Sequence, residues 1–374
     1  MNIKKYLGIT FLLVTLLFSG SITAIHSSSA NSNLKEVKAE ATSTNPKLNN
    51  VKIIATGGTI AGSATSNTDT TGYQPGALGV ETLIKAVPEL KQVANVSGEQ
   101  IANIGSNNMD NKTLLKLAKR INDLLKSKDV DGIVVTHGTD TLEETAYFLN
   151  LVVKSNKPVV IVGSMRPATA ISADGPLNLY NAVKIAASKD AKNKGVLISL
   201  NDRIGSARYI TKTNTTMTDT FQSEEQGYLG AIAGNKILFY NEPTRKHTIK
   251  SVFDVSKLDK LPQVDIIYSY QNDSRYFYDA SVKAGAKGII IAGEGNGLTS
   301  DTAFEGAKDA VKKGVIITRS SRVGNGIVTR EKIDDENNFV TADSLNPQKA
   351  RILTMLALTK TDDPKEIQQF FNEY

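Results

Sequence analysis

Short apolar runs alternate with amphipathic stretches along most of this 374-residue chain. An apolar run of about five residues is typical of a buried strand, whereas apolar positions three and four residues apart indicate a helix. In the first two thirds of the chain the runs predict strands at residues 51–55, 100–104, 132–136, 158–162 and 195–200, and a hairpin at 231–240. Helices are predicted at residues 80–91, 113–125, 141–151 and 177–189. Strands that alternate with helices are typical of a parallel sheet with helical crossovers.

A polar, lysine-bearing stretch at residues 241–262 interrupts this alternation, and proline lies near both of its ends. We interpret it as an interdomain linker. Beyond it, strands are predicted at 264–270, 288–292 and 315–318, and helices at 276–284, 300–313, 347–358 and 364–371. The pattern therefore predicts an α/β protein, with a larger N-terminal parallel-sheet domain at residues 51–240 and a smaller C-terminal α/β domain at residues 263–374.

The N-terminus has the pattern of a secretory signal peptide. Lys4 and Lys5 precede an apolar run at residues 6–18, and small residues then lead to two candidate cleavage sites, after Ala24 and after Ala30. A membrane anchor is the alternative interpretation, but the run is shorter than the roughly 20 residues that span a bilayer. Cleavage is therefore the expected outcome.

The expected mature protein is secreted and has no membrane association once residues 1–30 are removed. Residues 31–50, rich in Asn, Ser, Lys and Glu, are predicted to form a flexible leader. The formal net charge of +6 falls to about +4 without the two lysines of the signal peptide. Basic residues are scattered, without an arginine-rich helix or interleaved aromatic residues, so a nucleic-acid partner is not expected.

Composition limits the catalytic chemistry that is available. The chain contains no cysteine, which excludes disulfides and thiol catalysis. Its three histidines are His26, which falls in the predicted signal peptide, His137 and His247. With so few histidines we expect no histidine-based zinc site. A Ser-His-Asp triad would have to be built on His137 or His247, and no Gly-x-Ser-x-Gly motif occurs. We therefore expect no metal site, and expect neither histidine nor cysteine to lead the reaction.

Polar side chains follow three of the predicted strands, at the point where each strand ends. Thr56-Gly57-Gly58-Thr59 follows the first strand, Ser106 follows the second, and Thr139 and Asp140 follow the third. In open α/β sheets the carboxyl ends of the strands form the edge where ligands bind. The sequence therefore predicts a site at this edge.

Three interpretations fit the first of these turns. A glycine-rich connection without chemistry would suit an isolated Gly-Gly pair, because glycine permits sharp turns and close backbone approach. A phosphate-binding loop is disfavoured, since neither Gly-x-x-x-x-Gly-Lys nor Gly-x-Gly-x-x-Gly is present. A nucleophilic Thr59 is favoured, because the Gly-Thr pair recurs in the turn that contains Thr139.

The sequence alone leaves the role of Tyr73 open and favours an ordinary solvated side chain for Lys189. Tyr73 lies in the long polar loop at residues 63–79, and loops of this length are usually functional or disordered. It is either a side chain that closes a site or an ordinary surface tyrosine. Lys189 lies at the end of a predicted helix, where a solvated lysine is favourable to the helix dipole.

The chain contains two stretches that resemble the signature motifs of bacterial L-asparaginases. They are Ala-Thr-Gly-Gly-Thr-Ile-Ala-Gly at residues 55–62 and Thr-His-Gly-Thr-Asp-Thr-Leu-Glu-Glu-Thr-Ala at residues 136–146. Further matching stretches lie at residues 103–106, 172–176, 212–216 and 345–351, and the resemblance covers essentially residues 50–374. Together with the predicted signal peptide, it points to the secreted type II enzymes. The resemblance implies a cofactor-free homotetramer, built as a dimer of intimate dimers, that hydrolyses L-asparagine to L-aspartate and ammonia and has weaker activity on L-glutamine.

The resemblance also implies roles for the catalytic residues. Thr59 matches the nucleophilic threonine that forms the acyl-enzyme ester, and Tyr73 matches the loop tyrosine that hydrogen-bonds it. Thr139 matches the second catalytic threonine, paired with the lysine that aligns with Lys189. The backbone N–H groups of Gly58 and Thr139 are the expected oxyanion donors.

Substrate-binding residues are implied in the same way. Ser106 matches the serine that holds the substrate α-carboxylate, and Asp140 matches the acid that binds its α-amino group. Asn107 stands where many secreted relatives carry glutamine. Glu331 matches, across a one-residue gap, the acid that reaches the site from the partner subunit. Leu298 replaces a polar residue that in relatives often reaches the neighbouring site.

Two rival functions belong to other classes. A secreted amino-acid-binding protein would explain Asp140 and Ser106, but it gives Thr59, Thr139 and Lys189 no task. A nucleotide-dependent enzyme would suit a doubly wound sheet, but the chain has no phosphate-binding motif. An asparagine amidohydrolase that works through Thr59 is the favoured prediction.

Overall fold

The computed structural model describes residues 48–374. Its first part contains the elements β1 (Asn50–Gly57), β2 (Ser63–Ala64), β3 (Tyr73–Gln74), α1 (Val80–Lys85), β4 (Asn95–Ile104), α2 (Asn111–Lys126), β5 (Gly132–Thr136), α3 (Leu142–Val152), β6 (Val159–Val162), α4 (Gly175–Ala186), β7 (Val196–Leu200), β8 (Arg203–Ser206), β9 (Thr211–Lys212), β10 (Phe221–Gln222), β11 (Gly230–Ala233) and β12 (Lys236–Phe239). The second part contains β13 (Val264–Tyr268), α5 (Tyr276–Lys283), β14 (Gly288–Gly293), α6 (Asp301–Lys312), β15 (Ile316–Ser321), α7 (Lys332–Asn337), β16 (Val340–Thr341), α8 (Pro347–Ala357) and α9 (Pro364–Glu373). The predicted alternation of strands and helices is present in both parts.

The larger sheet has eight strands in the order β12-β11-β8-β7-β6-β5-β1-β4. Strands β4, β1, β5, β6 and β7 pair in parallel, whereas β8, β11 and β12 extend the sheet through antiparallel pairs. A separate four-stranded sheet, β13-β14-β15-β16, is parallel throughout. The predicted fold class, a larger N-terminal and a smaller C-terminal α/β part, is confirmed.

The central strands of the larger sheet bury side chains on both of their faces. Along β1, Ile54 packs into the core beneath α2 and α3, whereas its neighbour Ile53 packs with residues of α1 and α4. The same alternation occurs along β5, where Val135 and Val134 point to opposite faces. Successive side chains of a strand face opposite sides of the sheet, so an unbroken apolar run implies helices on both faces.

Helix α8 joins the core of the larger sheet to that of the smaller one. It packs against β13, β14 and β15 on one side and against α3 on the other. Its residues Leu353 and Leu356 belong to the same apolar cluster as Leu149 of α3 and Ile290 of β14. The smaller sheet is thereby fixed to the larger one by a continuous apolar core.

The order of the strands creates a switch point at the carboxyl edge of the larger sheet. The chain leaves β1 for β4 on one side and then crosses through α2 to β5 on the other side. The loops after β1 and β5 therefore diverge and leave a crevice between them, the usual ligand site of open α/β sheets.

Several local predictions differ from the structure. The stretch predicted as one helix at 80–91 is α1 followed by a 3-10 helix at Pro88–Gln92, since Pro88 lacks the N–H that would continue α1. Helix α4 ends at Ala186, before Lys189. The two-residue pairs β2–β3 and β9–β10 lack an apolar pattern and were not predicted.

The segment predicted as a linker packs into the fold. Residues 241–262 contain one 3-10 helix, Thr248–Lys250, and no strand. Phe253 is completely buried, and its ring centroid lies 5.1 Å from that of Phe370. No helix within residues 48–374 is long and apolar enough to cross a bilayer.

Candidate active site

Two glycine turns meet at the switch point, one directly before Thr59 and one directly before Thr139. Gly58 follows β1 with a φ of 80°, a conformation that side-chain-bearing residues rarely adopt. A Cβ atom on Gly58 would lie 2.2 Å from the Cα of Gly138, which follows β5. Gly58 is therefore needed, because a side chain there would force the two backbones apart. Gly138 is needed as well, because its Cβ would lie 2.7 Å from the Ser106 hydroxyl oxygen.

Thr59 is buried beneath Tyr73. The Thr59 hydroxyl lies 2.6 Å from the Tyr73 hydroxyl, a distance typical of a hydrogen bond between two hydroxyl groups. Tyr73 is held in place by the β2–β3 pair, where it lies opposite Ala64. The N–H of Gly76 donates to the carbonyl of Gly58 at 3.0 Å, which fixes the loop against the glycine turn. Residues 63–79 thus bring a phenol to the predicted nucleophile.

Thr139 and Asp140 share one lysine, Lys212 of β9. The Lys212 ammonium donates to the Thr139 hydroxyl at 3.0 Å and to the Asp140 carboxylate at 2.7 Å. Thr139 is buried, whereas the Asp140 side chain is 64% exposed and can therefore contact a ligand. An ammonium group only donates, so the Thr139 hydroxyl accepts this bond and its own proton remains free to be donated.

The structure corrects the assignment of Lys189. Lys189 is exposed and begins the 3-10 helix Lys189–Ala191. Helix α4 starts at the carboxyl edge of the sheet, and its 12 residues carry the chain roughly 18 Å back towards the amino edge. Ala187, just before Lys189, accepts a hydrogen bond from Asn49, which precedes β1. Lys189 is therefore at the opposite edge from Thr139.

Lys212 was not predicted as a site residue, although the sequence contained a signal for it. It opens the stretch at residues 212–216 that resembles the asparaginases. The side-chain type and the motif were both visible. The pairing with Thr139 was not, because it depends on where the two-residue strand β9 lies against the larger sheet.

Ser106 lies beside Asp140, as the order of the strands predicts. The N–H of Asp140 donates to the Ser106 hydroxyl at 3.2 Å, and the Thr141 hydroxyl donates to the Ser106 carbonyl at 2.8 Å. Thr141 precedes the first residue of α3, but its side chain makes no capping bond because it is engaged with Ser106. Thr141 and Glu144 therefore do not form a capping box, although their spacing would allow one. Asn107 follows in the 3-10 helix Ser106–Asn108 and is exposed.

The backbone donors differ from those expected. The N–H of Gly58 donates to the carbonyl of Ile104 at 2.9 Å and is not available to a ligand. Within residues 48–374, the N–H groups of Thr59 and Thr139 have no acceptor. Gly58 therefore shapes the turn, and Thr59 and Thr139 carry the N–H groups that could bind an oxyanion.

A buried histidine orients the peptide between Gly138 and Thr139. His137 Nδ1 lies 2.7 Å from the Gly138 carbonyl oxygen, and Nε2 lies 2.9 Å from the Thr145 hydroxyl. Because a carbonyl only accepts, Nδ1 carries the proton and Nε2 accepts from Thr145. Burial lowers the pKa of His137 to about 4, so the ring is neutral at physiological pH. With the carbonyl held by His137, the Thr139 N–H of the same peptide points the other way.

Tyr73, Thr139, Asp140 and Lys212 line one cavity of about 200 Å³, together with Met165 and threonines of two loops. This volume is smaller than the roughly 300–1,000 Å³ of pockets for drug-sized molecules, so a ligand of a few heavy atoms fits. A carboxylate, an ammonium and hydroxyl groups in its wall suit a small polar ligand with charges of both signs. Within residues 48–374, no group of three or more His, Asp or Glu side chains is arranged to hold a metal ion.

Glu331 lies between β15 and α7 in the C-terminal part of the chain and does not line this cavity. It precedes α7, is exposed, and accepts a hydrogen bond from the side-chain amide of Asn296. Its contacts within the chain are therefore structural, and its role at a site of a partner subunit stays a prediction. Leu298 is 52% exposed on the loop after β14.

The fold and this cluster are those of an α/β enzyme with hydroxyl groups at the switch point of a doubly wound sheet. The chain belongs to the asparaginase family. Residues 50–245 match the family model described as "Asparaginase, N-terminal", and residues 263–371 match the model "Glutaminase/Asparaginase C-terminal domain". The resemblance stated from the two signature motifs is confirmed.

Individual relatives support the same assignment. L-asparaginase 2 of Bacillus subtilis (strain 168) is 66% identical over 340 residues, which cover 91% of this chain and 90% of that protein. Glutaminase-asparaginase of Pseudomonas fluorescens biotype A is 52% identical over 340 residues, or 90% of this chain and 94% of that protein. The crystal structure of a probable cytoplasmic L-asparaginase from Campylobacter jejuni superposes with a TM-score of 0.86 at 52% identity, and covers 87% of this chain and 100% of that one.

The predicted secretion is corrected by these comparisons. The Campylobacter jejuni protein, which matches in both fold and sequence, is called cytoplasmic. The name of the Bacillus subtilis relative specifies no location. The predicted signal peptide and most of the predicted leader lie outside the described residues. Secretion, which had been inferred from residues 1–30, is therefore withdrawn.

Proposed function

We propose that this protein hydrolyses L-asparagine to L-aspartate and ammonia through an acyl-enzyme on Thr59, and that it acts more slowly on L-glutamine. One observation carries the proposal: Tyr73, whose hydroxyl lies 2.6 Å from that of Thr59, lines the same cavity as Thr139, which accepts from Lys212 at 3.0 Å, and the exposed Asp140. Threonine is a weak nucleophile at neutral pH and needs groups within hydrogen-bonding distance to take up its proton. The family relatives are named for both substrates.

Substrate binding uses the charged groups at the rim of the cavity. The Asp140 carboxylate accepts from the α-ammonium group of asparagine, since it is exposed and only one of its oxygens is bonded to Lys212. The Ser106 hydroxyl accepts from the Asp140 N–H and donates its own proton to the substrate α-carboxylate. Recognition of both charged groups explains why an amino acid would be preferred to a simple amide.

Acylation begins at Thr59. Its oxygen bonds to the side-chain amide carbon, and the hydroxyl proton passes through the Tyr73 hydroxyl to the departing nitrogen. The carbon–nitrogen bond breaks and ammonia leaves, so that an aspartyl ester remains on Thr59. The negative charge that develops on the carbonyl oxygen is stabilised by the N–H of Thr139, and one such donor is worth roughly 3–4 kcal/mol.

Deacylation reverses these steps with water. The Thr139 hydroxyl, which accepts from Lys212, orients the water molecule and releases its own proton as it takes up one from the water. The water oxygen bonds to the ester carbon, and the Thr59 oxygen leaves with the proton that Thr139 releases. The products are aspartate and the free hydroxyl of Thr59, so the reaction balances without a further reagent.

The test is the release of ammonia from L-asparagine by the purified chain. Thr59→Ala is expected to lower kcat at least 1,000-fold, roughly the contribution of an activated nucleophile, while the affinity for L-aspartate changes little. Thr68→Ala is the matched control, because Thr68 lies exposed in the same loop as Tyr73 and bonds only to Ser66 among the described residues. Full turnover by Thr59→Ala would refute the mechanism. Binding of asparagine by the unmodified chain without turnover would favour an amino-acid-binding protein.

The homotetramer implied by the resemblance is also a proposal, and Glu331 provides its test. A Thr59→Ala chain and a Glu331→Ala chain are each expected to be impaired. If Glu331 completes the site of a partner subunit, mixed assemblies regain activity, because an intact Thr59 then meets an intact Glu331. Sedimentation of the unmodified chain gives the number of subunits, and a monomer would exclude the shared site.

A further inference from the structure

The strand that carries Lys212 has few backbone partners of its own. β9 is two residues long and pairs with β10 at two positions only, Lys212 with Phe221 and Thr211 with Gln222. So short a pair has little independent stability. Lys212 must nevertheless hold its ammonium within 3.0 Å of both Thr139 and Asp140. Other contacts therefore have to fix this strand.

Those contacts converge on one buried carboxylate, that of Glu143 in the first turn of α3. Glu143 Oε2 accepts from the Thr211 hydroxyl at 2.5 Å, and Oε1 accepts from the backbone N–H of Lys212 at 3.3 Å. Glu143 is only 4% exposed, so these bonds are shielded from water. The two oxygens thus hold two consecutive residues of β9, on either side of one peptide bond.

The first turn of helix α8, which packs on the smaller sheet, provides further contacts to Glu143. The side-chain amide of Asn346 donates to Glu143 Oε2 at 2.9 Å and to the Thr211 hydroxyl at 2.7 Å, while its oxygen caps α8. The ammonium of Lys349 lies 3.5 Å from Glu143 and donates to the carbonyl of Ile210, the residue before β9. Lys349 is 2% exposed, and burial lowers its pKa to about 8.

We propose that Glu143 is a positioning residue for Lys212, and that Asn346 and Lys349 hold Glu143 in place, so that helix α8 sets the location of the lysine at the site. The carboxylate suits this role because both of its oxygens accept, whereas a glutamine would turn an N–H₂ group towards one of the donors. A buried donor left without a partner loses its hydrogen bond without regaining water, which is enough to release one end of so short a strand. The expected effect on turnover rests on the proposed function, whereas the positioning of Lys212 does not.

The first measurement is independent of catalysis. Brief acetylation of the full chain followed by peptide mass spectrometry gives the reactivity of Lys212 relative to that of Lys189, which is exposed and serves as the internal reference. In the unmodified chain Lys212 is expected to react at least tenfold more slowly than Lys189, since its side chain is 16% exposed and two of its three ammonium donors are hydrogen-bonded. Glu143→Gln should raise the relative reactivity of Lys212 at least fivefold.

Glu144→Gln is the matched control. It makes the same chemical change in the next residue of α3, and Glu144 has no hydrogen bond to β9 among the described residues. The relative reactivity of Lys212 should stay within twofold of the unmodified chain. If Glu143→Gln fails to fold, as judged by circular dichroism, Thr211→Val replaces it, because it removes one Glu143 contact and keeps the charge.

The second measurement is turnover of L-asparagine. Glu143→Gln should lower kcat between tenfold and a hundredfold, the loss expected when a proton-transfer group is displaced by about 1 Å. Glu144→Gln should leave kcat within twofold. If the unmodified chain releases no ammonia, the proposed function fails while the acetylation ratio still tests the positioning. An unchanged Lys212 reactivity in a folded Glu143→Gln or Thr211→Val chain would overturn the inference.

Discussion

Lowering the pH from 7.5 to 4.5 should remove a defined part of this protein's stability through His137. The ordinary pKa of histidine is 6.5, and burial lowers that of His137 to about 4. As the pH falls through this window the unfolded chain binds a proton that the folded chain does not. Stability attributable to His137 is therefore complete above pH 6.5 and is lost as the pH falls towards 4.

The size of the effect follows from the shift. A folded-state pKa of about 4 against the ordinary 6.5 corresponds to about 3 kcal/mol, most of which is lost by pH 4.5. The ring is completely buried, so solvent does not screen this cost. Protonation would also place a second donor at Nε2, where the Thr145 hydroxyl would have to turn its proton away.

The assay is urea unfolding at pH 7.5 and 4.5, at one fixed protein concentration, for the unmodified chain and for His137→Asn. Asparagine does not titrate, and its amide can still donate to the Gly138 carbonyl. The variant is expected to be less stable at pH 7.5 by about 1 kcal/mol, the value of the hydrogen bond to Thr145. Its loss between the two pH values should be smaller than that of the unmodified chain by roughly 2–3 kcal/mol.

Nitrogen-15 NMR of the histidine ring tests the same reasoning directly. The spectrum should show a neutral ring with its proton on Nδ1 down to pH 5. A titration midpoint near 6.5, or a ring protonated on Nε2 alone, would refute the argument. Equal pH dependence of the unmodified chain and His137→Asn would refute it as well.

Three further changes should have predictable effects. Lys212→Met should lower kcat at least 100-fold, as expected for a group that assists proton transfer, whereas Lys189→Met should leave kcat within twofold of the unmodified chain. The reverse result would show that Lys189, and not Lys212, acts at the site. Gly58→Ala should destabilise the chain by more than about 2 kcal/mol in thermal unfolding, because its Cβ would lie 2.2 Å from Gly138, and an unchanged melting temperature would contradict the packing of the two turns. Asp334→Asn should cost about 3–5 kcal/mol in urea unfolding, since it removes the charge paired at 2.6 Å with the buried Arg319; a loss below 1 kcal/mol would show that the pair contributes little.

The fold could be predicted largely from local patterns in the sequence. The apolar run at residues 132–136 coincides with β5, and helices α2, α8 and α9 lie within three residues of their predicted ends. These elements have strong periodicity, which depends only on neighbours in the chain. The short pairs β2–β3 and β9–β10 were missed because two-residue strands carry no period.

The candidate site likewise has a part that could be predicted from local sequence and a part that could not. The sequence alone determined that Thr59, Ser106, Thr139 and Asp140 follow strand ends, because glycine turns and apolar runs are local features. Only the tertiary structure decided which lysine joins them, since the contact between Lys212 and Thr139 depends on how β9 is held by Glu143 and α8. The length of α4 places Lys189 at the edge of the sheet opposite Thr139. That conclusion requires the position of α4 against the sheet, which the sequence does not give. The local sequence pattern determines which side chains follow the end of a strand. Long-range packing determines which distant residues contact those side chains and make them reactive.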